Sequence, residues 1–124
     1  PAWIADAITH RTKAILPVHW SGYACDMDEV LTVADEHGLD VIEDACHGIK
    51  ATYKGRPLGS IGAAGCFSMH PLKNLNVWGD GGVIVTNDKN LYHCAPLSPT
   101  LDERHAIYDG ALGSLLRLDV ALLP

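Results

Sequence analysis

Asp26-Met27-Asp28-Glu29-Val30-Leu31-Thr32-Val33-Ala34-Asp35-Glu36-His37-Gly38-Leu39-Asp40-Val41-Ile42-Glu43-Asp44 is the stretch that decides the fold class. Its first half has a helical period, with Met27, Val30, Leu31 and Ala34 on one apolar face. Asp26 stands where a side-chain oxygen can accept from a first-turn N–H, and Glu29 three residues on completes a capping-box pattern. Gly38 can take the left-handed backbone that closes a helix. The second half changes period: Leu39–Asp44 is short, β-branched and ends in two acids, which reads as a strand. Upstream, Thr12–His19 holds a short apolar run that leaves through Trp20-Ser21-Gly22-Tyr23, a buried strand followed by a loop. Strand, helix and strand joined by short links make the βαβ unit of a parallel sheet, so the chain is predicted to be α/β. Such sheets gather their working groups at the C-terminal ends of the strands. His19 and Asp44 both fall at such ends.

Downstream, Ala51–Gly59 reads as two short strands around a Lys54-Gly55-Arg56 turn, and Gly65–Met69 as a further strand. Pro71 keeps His70 out of helical angles, and Lys73–Trp78 is irregular. Gly79-Asp80-Gly81-Gly82 reads as a turn, Val83–Thr86 as a strand, and Asn87 or Asp88 as the cap of a helix beginning near Lys89. Pro96, Ser98 and Pro99 make a loop, and Leu112–Leu123 is compatible with a helix, though no cap or period fixes one.

The chain has 124 residues, enough for about one domain. It starts at Pro1 and ends on Ala121-Leu122-Leu123-Pro124, and is expected to be a piece of something longer. With 48% hydrophobic and 19% charged residues it has the composition of an ordered, well-buried domain. A net charge of −6 argues against a nucleic-acid partner. No apolar run approaches the roughly 20 residues a bilayer span needs, because Arg117 and Asp119 interrupt the tail. Cys25, Cys46, Cys66 and Cys94 contain no C-x-x-C pair, so reduced thiols and a cytoplasmic setting are expected. A metal module built from His19, Cys25, Cys46, His47, Cys66 or His70 would lack compact ligand spacing, and no metal is expected.

Two positions carry candidate chemistry. Asp44 and Glu43 are strand neighbours and face opposite ways, so only one of them can point at a site. Lys73 sits between Pro71-Leu72 and Leu75, Val77 and Trp78, and an amine in apolar surroundings is the more ready nucleophile toward a carbonyl. Taken singly, a loop lysine is ordinarily solvated and an aspartate after a strand ordinarily a cap.

Their context is more specific. Val41-Ile42-Glu43-Asp44-Ala45-Cys46-His47, Lys54-Gly55-Arg56-Pro57-Leu58-Gly59-Ser60-Ile61-Gly62, Cys66-Phe67-Ser68-Met69-His70-Pro71-Leu72-Lys73-Asn74-Leu75 and Gly79–Asp88 occur in order and with characteristic gaps. Together with Pro17-Val18-His19 and Asp26-Met27-Asp28, they make the chain resemble the DegT/StrS-type nucleotide-sugar aminotransferases, from about Ile8 to Asp88. The resemblance implies a three-layer α/β/α fold with a mostly parallel sheet, part of the large domain of a fold-type-I pyridoxal-phosphate enzyme. Residues 1–91 would be the central part of that domain and 92–124 a diverged tail. The small C-terminal domain would be missing, as would a second phosphate-binding loop and a ring-stacking aromatic that the family places upstream of Pro1. By position Lys73 resembles the Schiff-base lysine, Asp44 the partner of the pyridine nitrogen, His47 the partner of the ring hydroxyl and Ser68 a phosphate contact. Glu43 would then face away from the ring.

The implied reaction moves an amino group from an amino acid, glutamate in most of the family, to a keto group of a nucleotide-linked sugar. The implied parent is a homodimer. A branch of the family with histidine at the position of Lys73 performs dehydration, so lysine there favours transamination. Two features depart from the pattern. Tyr92–Gly110 does not follow the family, and His93-Cys94-Ala95-Pro96 is a poor match to it. Leu115, two residues before an Arg117-Leu118-Asp119 motif, stands where the family often has a phosphate-reaching asparagine. These departures keep open a non-catalytic remnant as the alternative reading.

Overall fold

A computed structural model describes residues 2–79, 81–94, 106–107 and 117–122. The elements are α1 (Ala2–Ala7), β1 (Ala14–Ile15), a 3-10 turn (Trp20–Gly22), α2 (Met27–His37), β2 (Asp40–Asp44), β3 (Thr52–Tyr53) and β4 (Arg56–Pro57). They continue with β5 (Ala64–Ser68), β6 (Gly81–Thr86), α3 (Lys89–Cys94), β7 (Ala106–Ile107) and β8 (Arg117–Leu122). Among the described residues, six strands form one sheet in the order β1-β2-β5-β6-β8-β7, and β3 and β4 form a separate hairpin. The pairs β1–β2, β2–β5 and β6–β8 are parallel, while β5–β6 and β7–β8 are antiparallel.

The βαβ unit forms for the reasons legible in its residues. Asp26 Oδ1 accepts from the Glu29 N–H at 3.4 Å and caps α2. Gly38 closes the helix with φ 62, a left-handed conformation that glycine adopts without strain. Met27, Val30, Val33 and Ala34 are buried against Ile15, Val41, Ala45, Leu58 and Ile61, and this cluster is the core. Leu31, expected on the apolar face, is only partly buried, and Val33 takes the deeper place.

The first strand is shorter than its apolar run. Pro17 has no N–H to give the ladder, so β1 stops at Ile15. The chain rejoins β2 further on, where the Pro17 carbonyl accepts from the Asp44 N–H at 2.9 Å and the His19 N–H donates to the Asp44 carbonyl at 3.0 Å. β6 starts at Gly81, inside the expected Gly79–Gly82 turn, because Gly82 pairs with Ser68. Asp88 accepts from the Asn90 N–H at 2.7 Å and so begins α3. The helix that the sequence of Leu112–Leu123 allows is corrected at Arg117–Leu122, which is a strand in parallel register with β6 from Gly81↔Arg117 to Thr86↔Leu122. The expected loop around Pro96, Ser98 and Pro99, and Leu115, lie outside the described residues.

The pleat sorts β2 into two faces. Val41 and Glu43 are buried on the α2 side, while Ile42 and Asp44 are half-buried on the other. Register carries this across to β5, where Asp44 pairs with Cys66, so Cys66 and Ser68 share the Asp44 face.

Candidate active site at the C-terminal end of β2

Lys73 and His47 meet. Nζ of Lys73 lies 2.6 Å from Nε2 of His47, although 26 residues separate them in the chain. Lys73 comes from the irregular segment after β5, where its own N–H bonds the His70 carbonyl at 2.8 Å. Val77 N–H donates to the Met69 carbonyl at 3.0 Å and folds the segment back over the strand end. His47 comes from the turn after β2 and accepts at Nδ1 from the Ser21 N–H at 3.2 Å. The two side chains line a cavity of about 420 Å³ with Ser21, Cys46, His70, Leu72 and Asn74. That volume lies within the range of small-molecule sites.

Asp44 is not among the residues that line this cavity, although its neighbour Cys46 is, and it accepts from the Cys46 N–H at 3.1 Å. Partial burial works against its charge, but hydrogen bonds from the Cys46 thiol and N–H, with attraction from His47 and Lys73, prevail. They hold its pKa below the usual carboxylate value. The Cys46 thiol is pushed up to about 11, by burial first and then by the Asp44 carboxylate. A carboxylate that stays ionised while partly buried suits the pairing of a protonated ring nitrogen. An amine for an aldehyde, an imidazole donor and that carboxylate therefore fit the donor set that pyridoxal phosphate requires.

Ser68 ends β5 on the Asp44 face and accepts at Oγ from the His70 N–H at 3.3 Å, but it does not line the cavity with Lys73. Glu43 points the other way, as expected. It is fully buried and accepts from His19 Nε2 at 2.9 Å, Gly59 N at 2.7 Å, Ile61 N at 2.6 Å and Gly62 N at 2.7 Å. His19 is thus spent on the core. Among the described residues no group of three His, Cys, Asp or Glu converges to hold a metal ion, and no helix is long and apolar enough to cross a membrane.

Sequence reasoning missed the support given by the Trp20–Gly22 turn. Trp20 meets the His47 ring edge-on at 5.6 Å between centroids. Gly22, at φ +83, lies where an added Cβ would stand 2.9 Å from the His47 carbonyl oxygen. The available signal was the glycine itself, which marks a close backbone approach.

Residues 1–99 match the model of the DegT/DnrJ/EryC1/StrS aminotransferase family. The UDP-N-acetyl-3-dehydro-alpha-D-glucosamine 3-aminotransferase of Acidithiobacillus ferrooxidans is 51% identical over 90 residues, 73% of this chain and 24% of that protein. The solved aminotransferase from Psychrobacter cryohalolentis superposes with a TM-score of 0.72 at 45% identity, covering 75% of this chain and 24% of that one. S. venezuelae DesV, solved in complex with a ketimine intermediate, superposes with a TM-score of 0.67 at 48% identity, covering 73% and 24%. The chain spans 22% to 32% of the length of the curated relatives it matches. Its α/β architecture, with a mostly parallel sheet, is that of part of a fold-type-I aminotransferase. The chain belongs to the DegT/DnrJ/EryC1/StrS aminotransferase family.

Proposed function

We propose that this chain is the cofactor-binding core of a pyridoxal-phosphate-dependent aminotransferase. The enzyme transfers an amino group from an amino acid, glutamate in the first instance, to a keto group of a nucleotide-linked sugar. The observation that carries the reading is the meeting of Lys73 Nζ with His47 Nε2, two groups whose charge helps to hold Asp44 ionised. When bound, pyridoxal phosphate supplies an aldehyde for covalent attachment to an amine and a ring that withdraws electrons from the reacting carbon.

Within that reading, Lys73 holds the cofactor and, once released from it, carries a proton between cofactor and substrate carbons. Asp44 keeps the ring nitrogen protonated through its charge. His47 donates to the ring hydroxyl, and Ser68 contributes to the phosphate site. A lysine at position 73 favours transamination over dehydration. The sugar substrate is supported by the relative from A. ferrooxidans, which is named for a nucleotide-linked keto sugar. The parent is read as a cytoplasmic homodimer, supported by the free thiols of Cys25, Cys46 and Cys66 and by large exposed apolar side chains such as Leu72 and Trp78.

The test is a visible absorbance spectrum of the full-length protein with added pyridoxal phosphate, followed by borohydride trapping, beside Lys73→Ala. A yellow adduct trapped at Lys73 in the wild type alone is the expected result. A full-length protein that forms no such adduct would overturn the reading.

A further inference from the structure

The segment after β5 carries Lys73 without the help of a helix or a strand. Leu72, the residue before it, is 88% exposed, so packing does not hold the backbone there. The place of the amine therefore depends on individual hydrogen bonds that offset the entropy of an ordered loop. Several of them meet at His70. Its N–H donates to Ser68 Oγ at 3.3 Å, its carbonyl accepts from the Lys73 N–H at 2.8 Å, and its Nδ1 accepts from the Leu72 N–H at 3.2 Å. Asn76 Nδ2 adds a longer bond to the Lys73 carbonyl, at 3.4 Å.

The bond from the Lys73 N–H to the His70 carbonyl closes a four-residue turn. Pro71 takes its second place, where the fixed φ of proline suits a turn. The first place ordinarily goes to aspartate, asparagine or serine, whose side-chain oxygen accepts from the N–H two residues on. His70 fills that place with Nδ1, an atom attached to Cγ as Oδ1 is in asparagine. The same side chain lines the cavity with Lys73 and His47. Its imidazole thus belongs both to the turn and to the wall of the site.

We propose that His70 is a positioning residue for Lys73: through the Leu72 N–H, its imidazole holds the His70–Lys73 turn in the shape that carries the amine to the cavity. The consequence for cofactor attachment rests on the aminotransferase reading of the site.

The test compares His70→Ala, His70→Asn and His70→Gln with the wild type in the full-length protein. Two rates are read: trapping of pyridoxal phosphate on Lys73 by borohydride, and amide exchange at Leu72 without ligand. His70→Asn puts an acceptor where Nδ1 stands, His70→Ala has none, and His70→Gln carries its oxygen one carbon further out. His70→Ala and His70→Gln should form the Lys73 adduct about fivefold more slowly and exchange the Leu72 amide about fivefold faster, the scale of one lost hydrogen bond. His70→Asn should restore both rates. A slow His70→Asn protein overturns the role, because the ring would then act on the ligand directly and not through the turn. If His70→Ala does not fold, the contrast between His70→Asn and His70→Gln decides. A wild type that forms no adduct overturns the cofactor reading. A wild type that forms one no faster than His70→Ala and His70→Gln overturns only the role of His70.

Discussion

Asp44 and Glu43 are chain neighbours with opposite fates: one reaches the site face and stays ionised, the other is fully buried and hydrogen-bonded by four partners. Removing the charge of Asp44 leaves its shape, so Asp44→Asn in the full-length enzyme should still bind cofactor. It should turn over at least about a hundredfold more slowly, the usual scale for losing a preorganised electrostatic partner. A near-native kcat would remove Asp44 from the proposed role. The depressed pKa has a second consequence, with a definite sign. Folding favours the ionised form, so the stability Asp44 contributes is full above the usual carboxylate value of 3.8 and is lost as pH falls through its lower folded value. Asp44→Asn should therefore flatten the acid limb of a stability–pH curve. Cys46 behaves oppositely: with its pKa near 11 against a usual 9.0, it holds about a hundredfold less thiolate at neutral pH than a free cysteine. Alkylation of Cys46 in the folded protein should be slower by about that factor, as peptide mapping after timed iodoacetamide treatment would show.

At the scale of elements, β2 is held from behind. The Glu43 carboxylate gathers the N–H groups of Gly59, Ile61 and Gly62 and fastens the 59–62 segment beneath the strand that carries Asp44. The segment passes so close that a Cβ on Gly65 would stand 2.3 Å from Gly59 backbone, and one on Gly62 would stand 2.4 Å from the Val41 carbonyl oxygen. Glu43→Ala would strand the buried Gly59 and Ile61 donors, the half-buried Gly62 donor and the His19 ring, at a cost of about 3–5 kcal/mol. A denaturant midpoint indistinguishable from wild type would show that the clamp is not structural. The helix caps and the hairpin were legible because their signals are local: Asp26, Gly38 and the Lys54-Gly55 turn each act within four residues. The clamp was not, because nothing near Glu43 in sequence says that a loop 16 to 19 residues away will bring donors to it. β8 was misread for a different reason. Arg117-Leu118-Asp119-Val120 alternates polar and apolar, the period of a strand. Reading the whole of Leu112–Leu123 as one greasy stretch hides that alternation. The meeting of Lys73 with His47 was legible only through family resemblance, since spacing alone gives a loop lysine and a turn histidine.

At the scale of the whole molecule, the core formed by the described residues is one-sided. Ile15, Val41, Ala45 and the buried face of α2 close one face of the sheet, while Ile42, Asp44, Cys66 and Ile84 on the other face are only half-buried. Apolar surface is also left open elsewhere. Ile49, Leu58, Phe67 and Val85 line a groove of about 530 Å³, and Trp3, Ile4 and Ile8 line another of about 340 Å³. Trp3, Tyr23, Leu72 and Trp78 are more than 80% exposed, far beyond what scattered surface residues require. Burying apolar area yields roughly 25 cal/mol per Å², so side chains of this size left in water favour association. The relatives are about three times as long, and much of this surface is of the kind that further chain or a second copy would cover. The 124-residue chain expressed alone should therefore self-associate, with a sedimentation coefficient that rises with concentration. The full-length protein should sediment as one discrete species. A monomeric isolated chain with a sharp, cooperative unfolding transition would mean that the exposed aromatic and aliphatic residues are tolerated as they stand, and that the one-sided core suffices to fold the chain by itself.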